Sequence, residues 1–284
     1  MRREMPVTVY TPESVLRNPV KLLESMMRDL LASRELAWRL FVRDTRARYR
    51  NSLLGYAWVF VPPLVAALPF IFLNSQGVIK IGETPLPYGA YAMIGTLIWQ
   101  VFVDALNSPL QAVSSARYML TRINFPRDAI LLSGLMQVGF GFLVRILLLA
   151  GVFIWYGIIP PFTSLLFPVG ILALVLAGFV LGLLLTPLGL LYGDVQRALA
   201  VVTPFLMLLT PVLYPTPKAG LAGIVVALNP LTPLITTTRD WLTLGTTSNL
   251  GGFVAATFLL AILLVVAWIV YRVALPHLIA RLGN

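Results

Sequence analysis

The stretch from Ile146 to Gly193 reads ILLLAGVFIWYGIIPPFTSLLFPVGILALVLAGFVLGLLLTPLGLLYG and contains no Asp, Glu, Lys or Arg in its 48 residues. A helix needs about 20 apolar residues to cross a bilayer, so this stretch has room for two crossings and a turn. The whole chain agrees, because 58% of its 284 residues are hydrophobic and 11% are charged, against roughly 25% charged in ordinary soluble domains. The sequence therefore predicts an all-α polytopic membrane protein and excludes a soluble enzyme.

The apolar segments on either side of this stretch extend the prediction to six membrane helices. The predicted spans are Leu54–Leu73, Tyr88–Leu110, Ala129–Trp155, Ser164–Leu191, Ala198–Leu213 and Gly251–Tyr271. They divide the chain into an N-terminal cytoplasmic or interfacial region over residues 1–50, a membrane domain over 51–272 and a cytoplasmic tail over 273–284.

The basic residues predict how the chain is oriented. Of the 21 Lys and Arg residues, 17 lie before the first span, between the second and third, between the fourth and fifth, or after the sixth. Cytoplasmic segments of membrane proteins collect Lys and Arg, so both termini are expected in the cytoplasm. The net charge of +10 then follows from topology, and we expect no nucleic-acid partner.

The N-terminal region predicts an amphipathic helix. Its arginines at positions 39, 43, 46 and 50 are spaced 4, 3 and 4 residues apart, which places Arg39, Arg43, Arg46 and Arg50 on one helical face. The aromatic residues Trp38, Phe41 and Tyr49 lie on another face. Such a helix suits the surface of an anionic membrane; the alternative is a solvated helix that leads into the first span.

The external segment between the fifth and sixth spans does not read as an ordinary loop. Two apolar runs, Ala219–Leu228 and Leu234–Leu244, flank the sequence Asn229-Pro230-Leu231-Thr232-Pro233. Each run is too short to cross a bilayer, and the prolines interrupt the helical pattern. We expect two short helices that re-enter the membrane from outside, either as a gate at a pore mouth or as a packed external cap.

Several kinds of chemistry are missing from the sequence. The chain has no cysteine and one histidine, His277, which excludes disulfides and clustered Cys or His metal sites. None of its three lysines stands in the Gly-Lys-Ser/Thr ending of a phosphate-binding loop. We therefore expect no catalytic residue, no metal site and no cofactor bound by this chain.

Two ionisable residues lie well inside the predicted spans. Arg145 lies about 24 Å beyond the cytoplasmic start of the third span at about 1.5 Å per residue, whereas Asp104 lies in the cytoplasmic part of the second. Because these depths differ, the sequence does not predict that they pair. Arg145 either meets an anionic substrate in a polar lumen or is a structural residue that snorkels.

The loop between the second and third spans is short, basic and amphipathic. It runs from Ser114 to Arg127 and contains Arg117, Arg122 and a proline near its end. A segment of this kind either docks into a soluble partner or is an ordinary charged turn.

Four motifs follow one another along the chain. The first is Arg43–Trp58, RDTRARYRNSLLGYAW, at the entry to the first span. The others are Asn124-Phe125-Pro126-Arg127, Tyr192-Gly193-Asp194-Val195 and Asn229-Pro230-Leu231-Thr232-Pro233. In this order, the four motifs resemble those of polysaccharide-exporting ABC type-2 permeases, the membrane subunits that export O-antigen, capsule or teichoic acid chains. The resemblance covers residues 30–272. The chain departs from the family pattern at Gly193, where an arginine is expected.

The resemblance implies an assembly and a substrate. This chain would form a homodimer in the bacterial cytoplasmic (inner) membrane and bind two copies of a cytoplasmic ATPase subunit, which would hold ATP and magnesium. The substrate would be a polysaccharide on undecaprenyl pyrophosphate, with lipopolysaccharide O-antigen the leading candidate.

The resemblance also implies roles for individual residues. The expected contacts with the ATPase are Arg117, Tyr118, Met119, Leu120 and Arg122. The expected contacts with the lipid pyrophosphate are Arg39, Arg43, Arg46 and Arg50. The expected channel-lining residues are Tyr56, Trp58, Phe60, Arg145, Phe205 and Tyr214, although each aromatic residue is equally consistent with a lipid-facing position. The expected external gate consists of Asn229, Pro230 and Pro233.

Three alternatives remain open at this point. The chain could belong to a capsule or teichoic acid exporter, or to a drug or lipid exporter of the ABC type-2 class, which would share the coupling loop but lack an aromatic channel. A membrane-embedded lipid-linked sugar transferase is a third alternative. It would require clustered acidic residues or a metal site, and the acidic residues here are scattered among arginines.

Overall fold

A computed structural model describes residues 27–50, 52–79, 81–122, 127–217 and 219–282. Every regular element in these ranges is a helix, which confirms the predicted all-α class. Several predictions lie outside the described residues: positions 1–26 of the N-terminal region, Asn124 to Pro126 of the second motif, the side chains of Tyr49 and Arg122, and the last two residues of the tail.

The helices follow one another through short connections. In chain order they are α1 (Arg34–Tyr49), α2 (Val61–Ser75), α3 (Tyr88–Ser115), α4 (Arg117–Arg122), α5 (Asp128–Tyr156), α6 (Phe167–Leu191), α7 (Asp194–Leu208), α8 (Gly220–Leu228), α9 (Leu231–Thr243) and α10 (Leu250–Leu282). Two 3₁₀ helices, Gly55–Val59 and Phe162–Leu166, lead into α2 and α6.

Four of the predicted spans are helices long and apolar enough to cross a membrane. They are Tyr88–Ser115, Asp128–Tyr156, Phe162–Leu191 and Leu250–Leu275. The helices at the first and fifth predicted spans, α2 and α7, have only 15 residues each.

Proline explains where α2 and α7 deviate from the predicted spans. The first span was expected to be helical from Leu54, but α2 begins at Val61 with prolines in its first turn, where their missing N–H groups are tolerated. The fifth span was expected to reach Leu213. That boundary is wrong, because α7 ends at Leu208 and Pro211 has no N–H to continue the hydrogen-bond ladder.

Helix α3 forms the centre of the bundle. Within its most apolar 18-residue window 83% of the residues are buried, against 22% for α5 and 17% for α10, so the latter two present apolar side chains outward. Helix α6 approaches α3 closely because Gly178 and Gly182 face it. A Cβ atom at Gly178 would lie 2.4 Å from the Phe102 carbonyl oxygen, and one at Gly182 would lie 2.1 Å from that of Leu106.

A buried carboxylate joins three segments at the end of the bundle that carries α4. Asp128, at the start of α5, is 2% exposed. It accepts hydrogen bonds from Trp268 Nε1 of α10 at 3.0 Å and from Arg272 Nη2 at 2.8 Å. Arg272 also pairs with Asp29 in the helical segment before α1. These partners compensate the desolvation of Asp128 and join the helical segment before α1 to α5 and α10.

Helices α8 and α9 form the pair expected between the last two spans, bent by 87°. Helix α9 is buried from Leu231 to Leu242, whereas α8 exposes Leu221 and Leu228. Helix α9 begins at Leu231 rather than at the expected Leu234, because Pro233 fits into its first turn.

Candidate functional site

A polar cavity of about 920 Å³ opens between α2, α3 and α5. Its wall on α5 includes Gln137 and Arg145, and its wall on α3 carries a row of polar side chains. Asp44 and Arg48 of α1 line it as well, and Trp58 and Pro62 contribute from the entry to α2. An otherwise apolar bundle thus contains a space suited to a hydrated or hydroxyl-rich ligand.

The polar row on α3 follows helical spacing. Gln100, Asp104, Asn107, Gln111 and Ser114 all line the cavity, at intervals of 4, 3, 4 and 3 residues that place them on one face. Of these five residues, only Asp104 was predicted as a functional candidate, because it is ionisable. The other four could have been recognised from their spacing, since a polar stripe with this period in an apolar span indicates a polar neighbour or cavity.

Arg145 and Asp104 form an ion pair inside the bundle. Arg145 Nη2 lies 2.6 Å from Asp104 Oδ2, and Gln100 Nε2 donates to Asp104 Oδ1 at 2.9 Å. The sequence did not predict this pair, because the depths of the two residues along their helices do not clearly match. Helical side chains lean toward the N-terminus of their own helix, and Arg145 reaches back about one turn past Gly141, whose Cβ position lies 3.6 Å from Asp104 Oδ2.

Two of the six predicted channel-lining residues, Trp58 and Arg145, line this cavity. Tyr56 packs edge-on against Phe140 with ring centroids 5.5 Å apart. Phe60, four residues further along the chain, is half-buried. Phe205 is exposed on α7. These residues do not line the cavity, and their assignment to a channel stays a prediction.

Tyr214, the sixth of these residues, lies in the loop after α7 and is turned back onto that helix. Its hydroxyl donates to the Leu208 carbonyl oxygen at 2.8 Å. Its backbone carbonyl accepts from the Tyr91 hydroxyl of α3 at 3.1 Å.

The four predicted pyrophosphate-binding arginines share one surface. Together with Trp38, Val42 and Ala47 they line an open depression of about 570 Å³ on α1. Two of them carry carboxylate partners: Arg39 pairs with Glu35 at 2.6 Å, and Arg43 pairs with Asp44 at 2.8 Å. The structure thus brings Arg39, Arg43, Arg46 and Arg50 together beside an exposed aromatic ring.

Helix α4 contains the predicted ATPase contacts and has two distinct faces. Arg117 and Tyr118 are exposed. Met119 and Leu120 are partly buried against an apolar cluster that includes Leu40 of α1 and Leu275 of α10. Arg43 Nη1 of α1 lies 2.9 Å from Met119 Sδ. Helix α4 is therefore anchored to α1 and α10 on one side, and it exposes Arg117 and Tyr118 on the other.

Asn229 joins the corner between α8 and α9 to the end of α7. Its Nδ2 donates to Thr210 Oγ1 at 2.8 Å, and its Oδ1 accepts from the Leu231 backbone N–H at 2.9 Å. The two predicted gate prolines follow directly, Pro230 before the first residue of α9 and Pro233 in its first turn. The predicted gate residues thus form a hydrogen-bonded corner.

A buried arginine adds a second connection in the same region. Arg239 of α9 is 4% exposed, and its Nη1 donates to the Pro211 and Val212 carbonyl oxygens, each at 3.2 Å. Its guanidinium lies 3.9 Å from the centre of the Tyr91 ring of α3. Arg239 lies within the predicted external run Leu234–Leu244, and this role could not be predicted, because nothing in its local sequence shows which carbonyl groups approach it.

Three curated proteins are similar to most of the chain. The O-antigen export system permease protein RfbA of Myxococcus xanthus is 27% identical over 214 residues, which cover 74% of this chain and 81% of that protein. Two proteins of the same name from Klebsiella pneumoniae are 26% identical, covering 72% and 78%, and 25% identical, covering 70% and 76%. No protein-family profile matches the chain. The relatives confirm the resemblance to polysaccharide-exporting ABC type-2 permeases.

Proposed function

We propose that this polysaccharide-export permease moves an undecaprenyl-pyrophosphate-linked polysaccharide of the O-antigen type across the bacterial cytoplasmic membrane. It works as a homodimer with two copies of a separate cytoplasmic ATPase subunit. The observation that carries the proposal is the polar cavity of about 920 Å³ within an apolar bundle, in a chain similar to proteins named O-antigen export permeases.

The proposed topology has six spans, with both termini in the cytoplasm. The 15 residues of α2 extend over about 22 Å, and the 3₁₀ helix Gly55–Val59 adds about 10 Å, which together match a hydrocarbon core about 30 Å thick. Helix α7 and the turns after it form the fifth span, and α8 and α9 re-enter from the external side.

Energy reaches the passage through α4. Its exposed residues Arg117 and Tyr118 contact the ATPase, and its inward residues Met119 and Leu120 transmit movement to α1 and α10, against which they pack. The chain depends on a partner for this energy because none of its lysines belongs to a phosphate-binding loop.

The arginine face of α1 receives the lipid pyrophosphate. A guanidinium group binds phosphate oxygens with two parallel hydrogen bonds. The Arg39–Glu35 and Arg43–Asp44 pairs are exposed, and exposed ion pairs contribute only about 0–1 kcal/mol. A multiply charged pyrophosphate can therefore replace the carboxylates, and Trp38 supplies a flat surface beside it.

The chemistry of the cavity favours a glycan over an apolar cargo. Pockets for drug-like or lipid molecules are lined mainly by apolar and aromatic side chains, whereas amides, hydroxyls, two carboxylates and two guanidinium groups line this one beside its apolar residues. Capsule and teichoic acid chains share that chemistry with O-antigen, and the names of the relatives favour O-antigen.

Deletion of the gene followed by analysis of surface glycan tests the proposal. We expect long-chain polysaccharide to disappear from the surface and undecaprenyl-linked polymer to accumulate inside the cell. Normal surface polysaccharide with no trapped polymer would overturn the proposed function.

A charge reversal on α4 tests the coupling. Arg117→Glu reverses the charge that α4 presents to the ATPase, so co-purification of the ATPase should fall at least tenfold. The matched control is Arg197→Glu in α7, an exposed arginine on the same proposed side of the membrane, which should leave co-purification unchanged. An equal loss in both variants would point to a general charge effect and against the assignment of α4.

A further inference from the structure

Arg145 is a buried arginine whose donors are only partly used. It is 5% exposed, and Asp104 engages its Nη2. Among the described residues, Nε and Nη1 of Arg145 have no hydrogen-bond partner. A buried donor without an acceptor is unfavourable, so this arrangement calls for acceptor atoms from outside the chain.

The surroundings of Arg145 show where those acceptors come from. On one side the guanidinium lines the polar cavity with Gln100, Asn107 and Gln137. On the other side it meets the apolar residues Phe142, Leu149 and Phe167, with only about 10 Å³ of free space. A ligand therefore has room on the cavity side alone.

Asp104 cannot satisfy the guanidinium by itself. One of its oxygens is paired with Arg145 Nη2 and the other accepts from Gln100 Nε2. These contacts fix the carboxylate and hold the guanidinium at the cavity wall. In a pair with a purely structural role, both carboxylate oxygens would accept hydrogen bonds from the arginine, because this bidentate geometry is the stronger one.

We propose that Arg145, oriented by Asp104 and Gln100, binds oxygen acceptors of the glycan as it moves through the passage. This inference rests on the proposed function. Nε and Nη1 are closed to solvent in this arrangement, so a turn of the guanidinium toward the cavity brings them to the sugar hydroxyl and carboxylate oxygens that supply the acceptors they lack. The neighbouring amides of Asn107, Gln111 and Gln137 both donate and accept hydrogen bonds, which suits a polyhydroxylated chain without fixing a single register.

Paired substitutions separate a binding role from a structural one. Arg145→Met alone leaves Asp104 uncompensated and risks misfolding, so the informative variant is Asp104→Leu with Arg145→Met, which removes both charges together. We expect this double variant to reach the membrane and co-purify with the ATPase at wild-type levels while exporting at least tenfold less polymer. Wild-type export by the double variant would show that the pair is structural and would overturn the inference.

Photocross-linking adds a readout independent of export rate. A p-benzoylphenylalanine at Asn107 faces the cavity, and one at Leu147, which is exposed on α5 and outside the cavity lining, is the matched control. We expect lipid-linked polymer to be captured at position 107 and not at 147, with at least tenfold less capture in the Asp104→Leu/Arg145→Met background. Equal capture at both positions would overturn this inference while leaving the proposed function intact. The absence of capture at position 107, in a strain whose polysaccharide export depends on the gene, would do the same.

Discussion

Asn229 is the residue on which the external corner depends, since its side chain contacts both α7 and α9. Asn229→Ala removes the hydrogen bonds to Thr210 and Leu231, each worth about 0.5–1.5 kcal/mol, so we expect a loss of about 1–3 kcal/mol. Asn229→Asp keeps an acceptor for the Leu231 N–H but loses the donor to Thr210, and should lose about half as much. Thermal melting of the detergent-solubilised protein provides the measurement.

The two variants also distinguish between explanations of the corner. If Asn229→Ala melts at the wild-type temperature, the hydrogen bonds do not hold the corner together. If Asn229→Asp is as damaging as Asn229→Ala, the contact with α7 alone matters, and the Asx-type turn before α9 contributes nothing measurable.

Two of the residues that the sequence assigned to a channel, Trp58 and Arg145, line the cavity, and their assignment to a channel stays a prediction. The Arg145–Asp104 pair was missed because a sequence gives the depth of each residue along its own helix. It gives neither the relative positions of two helices nor the reach of a long side chain that leans by one turn.

The contact between α3 and α6 depends on two glycines four residues apart, Gly178 and Gly182. In membranes such small residues allow helix backbones to approach closely. A methyl group at Gly182 would lie 2.1 Å from the Leu106 carbonyl oxygen, so Gly182→Ala must push the helices apart. We expect a loss of about 1–3 kcal/mol, measured as a lower melting temperature and a smaller folded fraction after extraction.

A glycine on α5 provides the matched control for this prediction. Gly151 has open space around its Cβ position, so Gly151→Ala should leave the melting temperature unchanged or raise it slightly through helix propensity, worth up to about 1 kcal/mol. Equal melting of the Gly182→Ala and wild-type proteins would contradict the close contact between α3 and α6.

Whole helices were predictable where apolar residues continue for more than 20 positions, as in α5, α6 and α10. Short elements such as α9 are harder to place from the sequence. Threonines interrupt its apolar run, and the helix is nevertheless buried, because Thr236 and Thr238 donate to the carbonyl oxygens of Thr232 and Leu234 within the same helix. Polar residues satisfied in this way can enter a core, and no sequence periodicity reveals it.

At the scale of the whole molecule, the charge distribution and the helix lengths disagree about how many spans there are. The basic residues fit six crossings with both termini inside. Only four helices of the described residues are long enough to cross alone, or five if the bent α8–α9 pair is one span. The two short helices α2 and α7 decide between these topologies.

Single cysteines can settle the topology directly, because the chain contains none of its own. We expect a membrane-impermeant maleimide to label Ser75→Cys, at the C-terminal end of α2, and Thr216→Cys, after α7, in intact spheroplasts. Arg34→Cys, before α2, and Arg197→Cys, at the start of α7, should react only after permeabilisation. Each pair brackets one short helix, so a crossing gives opposite labelling at its two ends, whereas a helix that stays on one side gives the same labelling at both.

Protection of Ser75→Cys together with Arg34→Cys would remove the first span, and the same result for Thr216→Cys and Arg197→Cys would remove the fifth. Loss of either span alone would place the termini on opposite sides, and α4 could then no longer share a compartment with both the arginine face of α1 and the end of α10, against which it packs.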